Sequence, residues 1–584
     1  MFLRFMIETS CSPLRMLRLA HCTFRTGRKF SKGNFVRAPT IPYDGGLPFV
    51  GTSLAIGAAG GAPKLHEYVD SRHKQLGPIF RENMGPVTAV FVSDPSLIRK
   101  VFLVEGKFPK HFVPKAWSLY NELHKCKRGL FFMDGEEWYT LRRVMNKYFL
   151  SPESIKNLEG LHENLVSHLI QRWKRFDGQE VENLEFEFYR HSISFVLGSL
   201  IGNSYWNKFA EYNPYVDELA QKFQQVFETS SKLNVLPSVK LVQFLGLPVW
   251  KTFESAVGAS LDATLSSVVT KMFPLSREVQ TDPQPIVERE FSSTGVQANI
   301  PKPKIKGPSL EHQFTQVPNF SPSLCHFLSL LVLLGINVGI SFKLYNELYV
   351  EKRFAPVATT QTCCLCRMAR NVVKKAFDDL SENGLLYKLA SENLHEDVIS
   401  ALVSDLLIAA GDTTAFTSQW AVYLLGRDRS VQDAVRRDPS LIRGVVRETL
   451  RLYPSAAFIA RVLPNAETID GYHLEKEELV LLSLYTAGRY EKLYPSADKF
   501  LPDRWTKEGT GKYKGVLNVN GYLPFAMGAR SCIGARLANA QLNMTLSHLL
   551  ENYDLDTKEE SGMVLRLVPV PSRPVRLRIQ SRKK

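Results

Sequence analysis

The stretch of sequence that decides the fold is Phe525-Ala-Met-Gly528-Ala-Arg530-Ser-Cys532-Ile-Gly534. Gly528 and Gly534 permit a tight turn around a single cysteine, Cys532, and let another group approach the backbone closely. Phe525 can shield one side of the sulfur. A helical pattern follows Gly534 and would point its positive end toward the sulfur. The pattern predicts a protected thiolate that acts as a metal ligand.

These features are typical of a thiolate that binds haem iron. Such a thiolate donates electron density to the iron and favours cleavage of the O–O bond. Backbone N–H groups aimed at the sulfur lower its basicity, and Arg530 can pair with a haem propionate. A lone cysteine in a Gly-rich turn is more often structural, but the complete pattern near the C-terminus is far more specific. We therefore expect Cys532 to be the axial ligand of haem iron.

With a second motif, Glu448-Thr-Leu-Arg451, the sequence resembles the cytochrome P450 superfamily over most of residues 39 to 580. The two charged residues lie three positions apart, on one helix face. The resemblance implies that they join Arg504 in a buried network that braces the haem region. It also implies haem b as the cofactor and the cytochrome P450 fold, which is mainly α with a small β portion (α+β).

The segment Ala409-Ala-Gly-Asp-Thr-Thr414 resembles the oxygen-activation segment of the family, which lies in a long central helix. The resemblance implies that Asp412 and Thr413 relay protons during activation of O2. The family usually has glycine where this chain has Ala410, and the extra methyl group would narrow the groove there. Taken alone, Asp-Thr-Thr is a weak signal, because helix caps look similar.

Two further matches concern the haem propionates. Trp138 and Arg142 are four residues apart and are similar to the Trp-x-x-x-Arg helix of the family. The resemblance implies that both reach one propionate and that Arg461 contacts the other. Any one of these arginines taken singly is more often a solvated surface residue, so the expectation depends on the full set of motifs.

The N-terminal residues 1 to 37 contain eight arginines and lysines but a single acid, Glu8. An Arg-rich, acid-poor and partly amphipathic stretch is typical of a mitochondrial presequence, and a disordered basic tail is the alternative. It lacks the run of about 20 apolar residues that a membrane-spanning anchor needs. We expect a mitochondrial protein, and the resemblance implies peripheral association with the matrix side of the inner membrane.

Composition excludes other classes of protein. The net charge is +15 and the pI about 9.3, which favours acidic partners, anionic membranes or nucleic acid. No zinc-finger spacing or aromatic-basic motif supports nucleic acid, so we expect none as a partner. The eight cysteines are scattered without a paired framework, which fits a reducing compartment.

The folded region is predicted to be interrupted. We divide the chain into a presequence (1–37), an N-terminal part of the P450 domain (38–272), an irregular insertion (273–365) and a C-terminal part with the haem site (366–584). Prolines rule out long helices in the first half of the insertion. Its apolar run 324 to 342 is long enough to span a bilayer, which leaves an integral membrane protein as an alternative. Inclusion of the insertion by a wrong gene model is also open.

Several segments outside the insertion have a clear pattern. Short strand-like runs include residues 87 to 92, and apolar spacing typical of helices dominates the remainder. The predicted helices cover residues 136–150, 154–175, 395–425, 440–452 and 534–550.

Monooxygenation needs two electrons per turnover, and a presequence suggests a small acidic ferredoxin in mitochondria as their donor. Arg443 and Arg447 lie four residues apart, at the position where mitochondrial members of the family carry a basic docking pair. Such a pair would steer an acidic partner and make turnover sensitive to salt. A generic basic helix face is the alternative. Mitochondrial members usually have arginine where this chain has Ala535, which weakens the expected patch.

A further resemblance concerns the substrate. Glu448 follows Asp412 by only 36 positions, and residues 409–420, 424–430 and 482–489 are similar to arthropod mitochondrial ecdysteroid 2-hydroxylases. This implies a lipophilic steroid substrate and hydroxylation of 2-deoxyecdysone at C2, which gives ecdysone. One alternative is a mitochondrial P450 that hydroxylates another sterol position or a xenobiotic. The other is a non-catalytic haem-binding sensor or carrier, which would not need the proton relay.

Overall fold

The computed structural model describes residues 40 to 262 and 382 to 582, except 49, 86, 126–128, 235–237, 393, 395 and 510. The predicted presequence and the predicted insertion, with its apolar run, lie outside the described residues. Within the described ranges, no helix is both long enough and apolar enough to cross a membrane.

Helices make up most of the described chain, because apolar residues recur at helical spacing along it. The helices are α1 Ser53–Ala58, α2 Leu65–Leu76, α3 Pro95–Leu103, α4 Lys115–Leu123, α5 Gly135–Phe149, α6 Pro152–Lys156, α7 Glu159–Trp173, α8 Leu184–Ile201, α9 Asn203–Asn207, α10 Phe209–Asn234, α11 Val239–Phe244, α12 Pro248–Asp262, α13 Leu385–Ala390, α14 Glu396–Arg427, α15 Arg429–Arg437, α16 Ile442–Leu452, α17 Leu484–Ala487 and α18 Ala535–Asn552.

The strands are short and few by comparison. They are β1 Tyr43–Asp44, β2 Ile79–Met84, β3 Val87–Val92, β4 Phe458–Val462, β5 Glu467–Ile469, β6 Tyr472–Leu474, β7 Leu479–Ser483, β8 Tyr553–Asp556, β9 Met563–Leu565, β10 Pro569–Pro571 and β11 Arg578–Ser581. The prediction of a mainly α fold with a small β portion is confirmed.

The predicted helices correspond to elements of the structure, with one difference. The stretch predicted as a single helix over 154 to 175 divides into α6 and α7. Between them, Leu158 is fully buried, and the backbone carbonyl of Asn157 accepts a hydrogen bond from the side chain of Asn383 at 3.3 Å. The chain forms a turn at Asn157 and Leu158 instead of continuing as one helix. Periodicity within one segment could not reveal this contact.

The largest sheet brings distant parts of the chain together in the order β1-β2-β3-β7-β4. Strand β3 pairs with β7 in parallel, with Val90 opposite Val480, and β7 pairs with β4 in antiparallel. Strand β4 carries Arg461, and its last residue, Val462, forms a bridge with Lys110. The sheet thereby places Arg461 next to the segment that follows α3.

The core forms where α8, α14 and α18 pack against one another and against α7 and α16. Helix α8 is buried along nearly its whole length, so its polar residues need partners inside the protein. His191 and Thr545 share a hydrogen bond of 2.9 Å, and Gln541 donates to Ser192 at 3.0 Å. These bonds fix α8 against α18, the helix that follows Cys532.

Helix α16 lies unusually close to the 3-10 turn Pro502–Trp505. A Cβ atom at Gly444 would lie 2.4 Å from the carbonyl oxygen of Pro502. We expect Gly444→Ala to lower the free energy of unfolding by about 1–3 kcal/mol, because the backbone must move apart. Gly160→Ala, in α7 where an added Cβ meets nothing within 4 Å, is the control. Thermal unfolding that leaves Gly444→Ala as stable as this control would contradict the prediction.

Candidate active site

The loop that carries Cys532 is closed by its own backbone. The N–H group of Cys532 donates to the carbonyl oxygen of Phe525 at 2.9 Å, and that of Ser531 donates to Gly528 at 3.2 Å. Gly528 has a φ of 79°, and Ala526 also lies in the left-handed region, with a φ of 57°. Helix α18 begins at Ala535, so its N-terminus follows the cysteine directly.

The side chain of Cys532 is exposed, although many protein atoms surround it. Burial raises the pKa of the Cys532 thiol, whereas the backbone N–H of Gly534 and the positive charge of Arg142 favour the thiolate. A sulfur that is surrounded by protein but open on one side can accept a large flat ligand without rearrangement of the loop.

One face of α14 is also accessible. Ala409 is exposed and Thr413 is partly exposed, although most of the neighbouring residues on the helix are buried. The hydroxyl group of Thr413 donates to the carbonyl oxygen of Ala409 at 2.8 Å. The partly exposed Ala410 lies beside them, at the position where the family usually has glycine.

Asp412 points in a different direction from Thr413. Its side chain is only 2% exposed, and its Oδ1 atom has no hydrogen-bond partner within the described part of the chain. Burial raises the pKa of Asp412 well above its usual value, the nearby Glu185 raises it further, and Arg566 opposes the change. The two residues predicted to relay protons therefore lie on different faces of α14.

Arg142 and Arg530 brace the site. The Nη2 group of Arg142 donates to the backbone carbonyl of Ser531 at 2.6 Å, next to the cysteine. The guanidinium of Arg530 stacks 4.2 Å from the ring centroid of Trp138 and pairs with Asp134 at 2.5 Å. Both arginines therefore bind groups within the described part of the chain, and the ring of Trp138 packs against the guanidinium of Arg530.

Two groups that are close to Arg530 lack such partners. The Nη2 atom of Arg461 and both ring nitrogens of His111 are buried without a hydrogen bond of ordinary geometry to any described residue. Burial lowers the pKa of His111 to about 4, and the positive charges of Arg530 and Arg461 contribute. His111 was not among the predicted site residues, because a single histidine in a loop carries no spacing signal.

The chemistry of this set fits the carboxylates of haem. Burial lowers the pKa of Arg530 to about 10. The nearby positive charges of Arg461 and Arg142 contribute to this shift, whereas Asp134 opposes it. Buried N–H groups without partners are costly unless an acceptor binds them. Haem at this site would be held by Cys532 through sulfur, and its propionates would meet Arg461 and this positive cluster.

The structure brings Glu448, Arg451 and Arg504 together in a buried network. Glu448 is fully buried and accepts hydrogen bonds from Arg451 at 2.7 and 2.9 Å and from Arg504 at 2.8 Å. The indole N–H of Trp505 donates to the same carboxylate at 2.8 Å. Trp505 is a member that the motif did not predict, although it directly follows Arg504.

The two arginines predicted to dock ferredoxin differ in environment. Arg443 is exposed, and no ion pair is formed by it within the described ranges. Arg447 is partly buried, donates to the hydroxyl of Tyr513 at 2.9 Å and packs against the ring of Trp505. Arg536 is exposed in the first turn of α18, one position beyond Ala535.

Comparison with known proteins defines the class. The cytochrome P450 family model matches residues 41–282 and 368–577. The fold is similar to the solved structure of a retinoic acid-bound cyanobacterial CYP120A1, with a TM-score of 0.60 at 16% identity, covering 93% of this chain and 99% of that one.

Curated relatives cover almost the whole chain. The mitochondrial cytochrome P450 315a1 of Drosophila melanogaster is 32% identical, over 93% of this chain and 88% of its own length. The mitochondrial cholesterol side-chain cleavage enzyme of Mesocricetus auratus is 23% identical, with 90% and 86% covered. The mitochondrial 25-hydroxyvitamin D-1 alpha hydroxylase of Rattus norvegicus is 24% identical, with 90% of both chains covered.

The chain belongs to the cytochrome P450 family. It is a haem-dependent monooxygenase of the type related to mitochondrial steroid hydroxylases. The predictions of the family, of an enzyme and of haem as the cofactor are confirmed. The roles of individual site residues remain predictions.

We expect Thr413→Ala to uncouple electron use from hydroxylation. The Thr413 hydroxyl is the polar group on the accessible face of α14, and its loss should reduce product formed per electron consumed by about tenfold or more. Ser418→Ala is the matched control, because its hydroxyl also donates to the carbonyl four residues before it but is buried. Equal coupling in Thr413→Ala and the control would show that Thr413 has no part in the relay.

Proposed function

We propose that this chain is a mitochondrial steroid hydroxylase of ecdysteroid biosynthesis that hydroxylates 2-deoxyecdysone at C2 to give ecdysone. The observation that carries the proposal is the difference in identity between relatives. The Drosophila mitochondrial P450 is 32% identical, whereas the mitochondrial vertebrate enzymes of steroid and vitamin D metabolism named above are 23–24% identical over similar lengths. The segments similar to arthropod ecdysteroid 2-hydroxylases support the same assignment.

The side chains of the site have defined tasks under this proposal. Haem bound through Cys532 supplies the activation of O2 and the transfer of one oxygen atom to the substrate. Thr413 uses its proton in the bond to Ala409, so its oxygen lone pairs are free to accept a hydrogen bond from water on the accessible side. Asp412, whose pKa is raised by burial, can hold a proton on a different face of the helix.

We also propose a mitochondrial ferredoxin as the electron donor. Arg443 is the better candidate of the predicted pair, because Arg447 is partly buried against Tyr513 and Trp505. Arg536 is exposed, and its positive charge lies one position after Ala535, where mitochondrial members of the family usually have arginine. Charges at the rim of an interface mainly set the association rate and its salt dependence.

The proposed location is the matrix side of the mitochondrial inner membrane, with peripheral attachment. The basic, acid-poor sequence of residues 1 to 37 supports import, and the relatives named above are mitochondrial. Large apolar side chains with high exposure support contact with lipid. They include Tyr43, Leu47, Leu54, Phe244 and Leu245.

The division of the chain into presequence, two parts of one domain and an insertion also remains a proposal. The family match stops at residue 282 and resumes at 368, which supports an insertion close to the proposed 273–365. Sequencing of the transcript across this region tests whether the segment belongs to the protein.

The substrate is tested by turnover. The mature chain, loaded with haem and supplied with ferredoxin, its reductase and O2, is expected to convert 2-deoxyecdysone to ecdysone, identified by mass spectrometry. A panel of other deoxyecdysteroids and a xenobiotic distinguishes the alternatives. Hydroxylation of another sterol position, with 2-deoxyecdysone left unchanged, would contradict the C2 assignment while leaving the class of enzyme intact.

Ferredoxin docking is tested by Arg443→Gln. Because the side chain is exposed, we expect the KM for ferredoxin to rise by about two- to fivefold, with kcat at saturating ferredoxin unchanged and a weaker dependence on salt. Arg578→Gln removes another exposed arginine, on strand β11, and serves as the control. A KM and salt dependence equal to those of the control would remove Arg443 from the docking surface.

A further inference from the structure

A buried carboxylate lies against the cysteine loop. Glu105 is in the turn that follows α3, far from Cys532 in sequence, and is only 4% exposed. Nothing in its local sequence sets it apart from an ordinary surface acid. A buried ionised group needs strong partners, so its contacts show what its charge is used for.

The two carboxylate oxygens of Glu105 bind two different parts of the site. Oε2 accepts a hydrogen bond from Nε of Arg461, on strand β4, at 2.5 Å. Oε1 accepts from the backbone N–H of Ala529 at 3.0 Å. Ala529 lies in the loop three residues before Cys532. One side chain therefore joins the arginine strand to the cysteine loop.

The contact with the loop is close enough to restrict its sequence. A Cβ atom at position 528 would lie 2.1 Å from Oε1 of Glu105, and Gly528 has a φ of 79°. Glycine is thus needed here for two separate reasons, the left-handed backbone and the carboxylate that lies beside it.

Glu105 also determines which donors of Arg461 remain free. Nε is bound to Glu105, and Nη1 donates to the carbonyl of Ala460 at 2.9 Å. Nη2 is buried without a hydrogen-bond partner in the part of the chain that the structure describes. The guanidinium is held in one orientation with a single nitrogen left to bind an acceptor. A flexible side chain that is fixed in advance loses less entropy on binding.

We propose that Glu105 is a positioning residue, which holds the cysteine loop and Arg461 in a fixed relation, and whose negative charge keeps the haem reduction potential low. The charge partly neutralises Arg461 within a cluster that otherwise holds three arginines. A buried negative charge near haem stabilises the ferric form relative to the ferrous form. This proposal depends on haem binding and is independent of the steroid substrate.

Two substitutions distinguish the effect of the length of the Glu105 side chain from the effect of its charge. Glu105→Gln keeps the shape but removes the charge, and its amide N–H₂ would face one of two donor groups. Glu105→Asp keeps the charge but is one methylene shorter, so it can no longer hold both Ala529 and Arg461. Glu136→Gln, which removes an exposed acid that pairs with Lys107, is the control.

The measurements use the purified haem-loaded protein. We expect Glu105→Gln to show a more positive reduction potential than the control. Its ferrous–carbon monoxide complex should lose the red-shifted Soret band of a sulfur-bound haem about tenfold faster, as expected for loss of a hydrogen bond to a charged group. Glu105→Asp should lose the band faster at a potential close to that of the unsubstituted protein.

If both variants match the control in potential and in the rate of band loss, Glu105 has no positioning role and the proposal is wrong. A potential that shifts equally in Glu105→Gln and Glu105→Asp would also overturn it, because the charge would then be irrelevant. These readouts do not involve a steroid, so they can fail while the proposed hydroxylation stands, and the reverse is also possible.

Discussion

A single loop must satisfy two conflicting requirements. It has to leave the Cys532 sulfur accessible, and it has to prevent the backbone around that sulfur from moving. The loop meets both requirements through bonds made by its backbone rather than by the thiol. The N–H of Cys532 binds Phe525, the carbonyl of Ser531 accepts from Arg142, and the N–H of Ala529 binds Glu105. The first bond lies within the loop, but Arg142 and Glu105 come from separate parts of the fold, so the site depends on the whole domain being assembled.

The charges around the site follow from the same requirement. Three arginines are brought close together beside the sulfur, which is unfavourable in a protein interior unless acids are near. Asp134 and Glu105 compensate part of the charge, and the pKa of Arg530 is still lowered to about 10 by burial. The remaining positive charge and the partnerless Nη2 of Arg461 fit the two carboxylates that haem carries. The positive charge of the cluster is thus consistent with the haem cofactor of the family.

Much of the fold and of the candidate site could be predicted from the sequence. The features that could not be predicted share one cause, which is that they depend on contacts between distant parts of the chain. Motifs of fixed spacing pointed to Cys532, Glu448 and Arg504, and periodicity predicted the long helix α14, whereas the long helices α8 and α10 were not predicted. Glu105 was missed because it acts on Ala529 from 424 positions away. The pairing of β3 with β7 likewise joins positions that are far apart in the sequence. Local sequence patterns predict secondary-structure elements and motifs. The single residues that connect these elements can be recognised only in the folded structure.

Asp412 and Thr413 belong to the same motif, but their positions on the helix give the two side chains different surroundings. Asp412 and Thr413 are adjacent, yet successive residues point about 100° apart on an α-helix. Thr413 faces the accessible side, whereas Asp412 is buried near Glu185 on α8. In the proposed relay, a proton held by Asp412 would therefore have to pass around α14, either by rotation of the Asp412 side chain or by way of water. In the proposed relay, this geometry would make the two residues successive stations rather than one hydrogen-bonded pair.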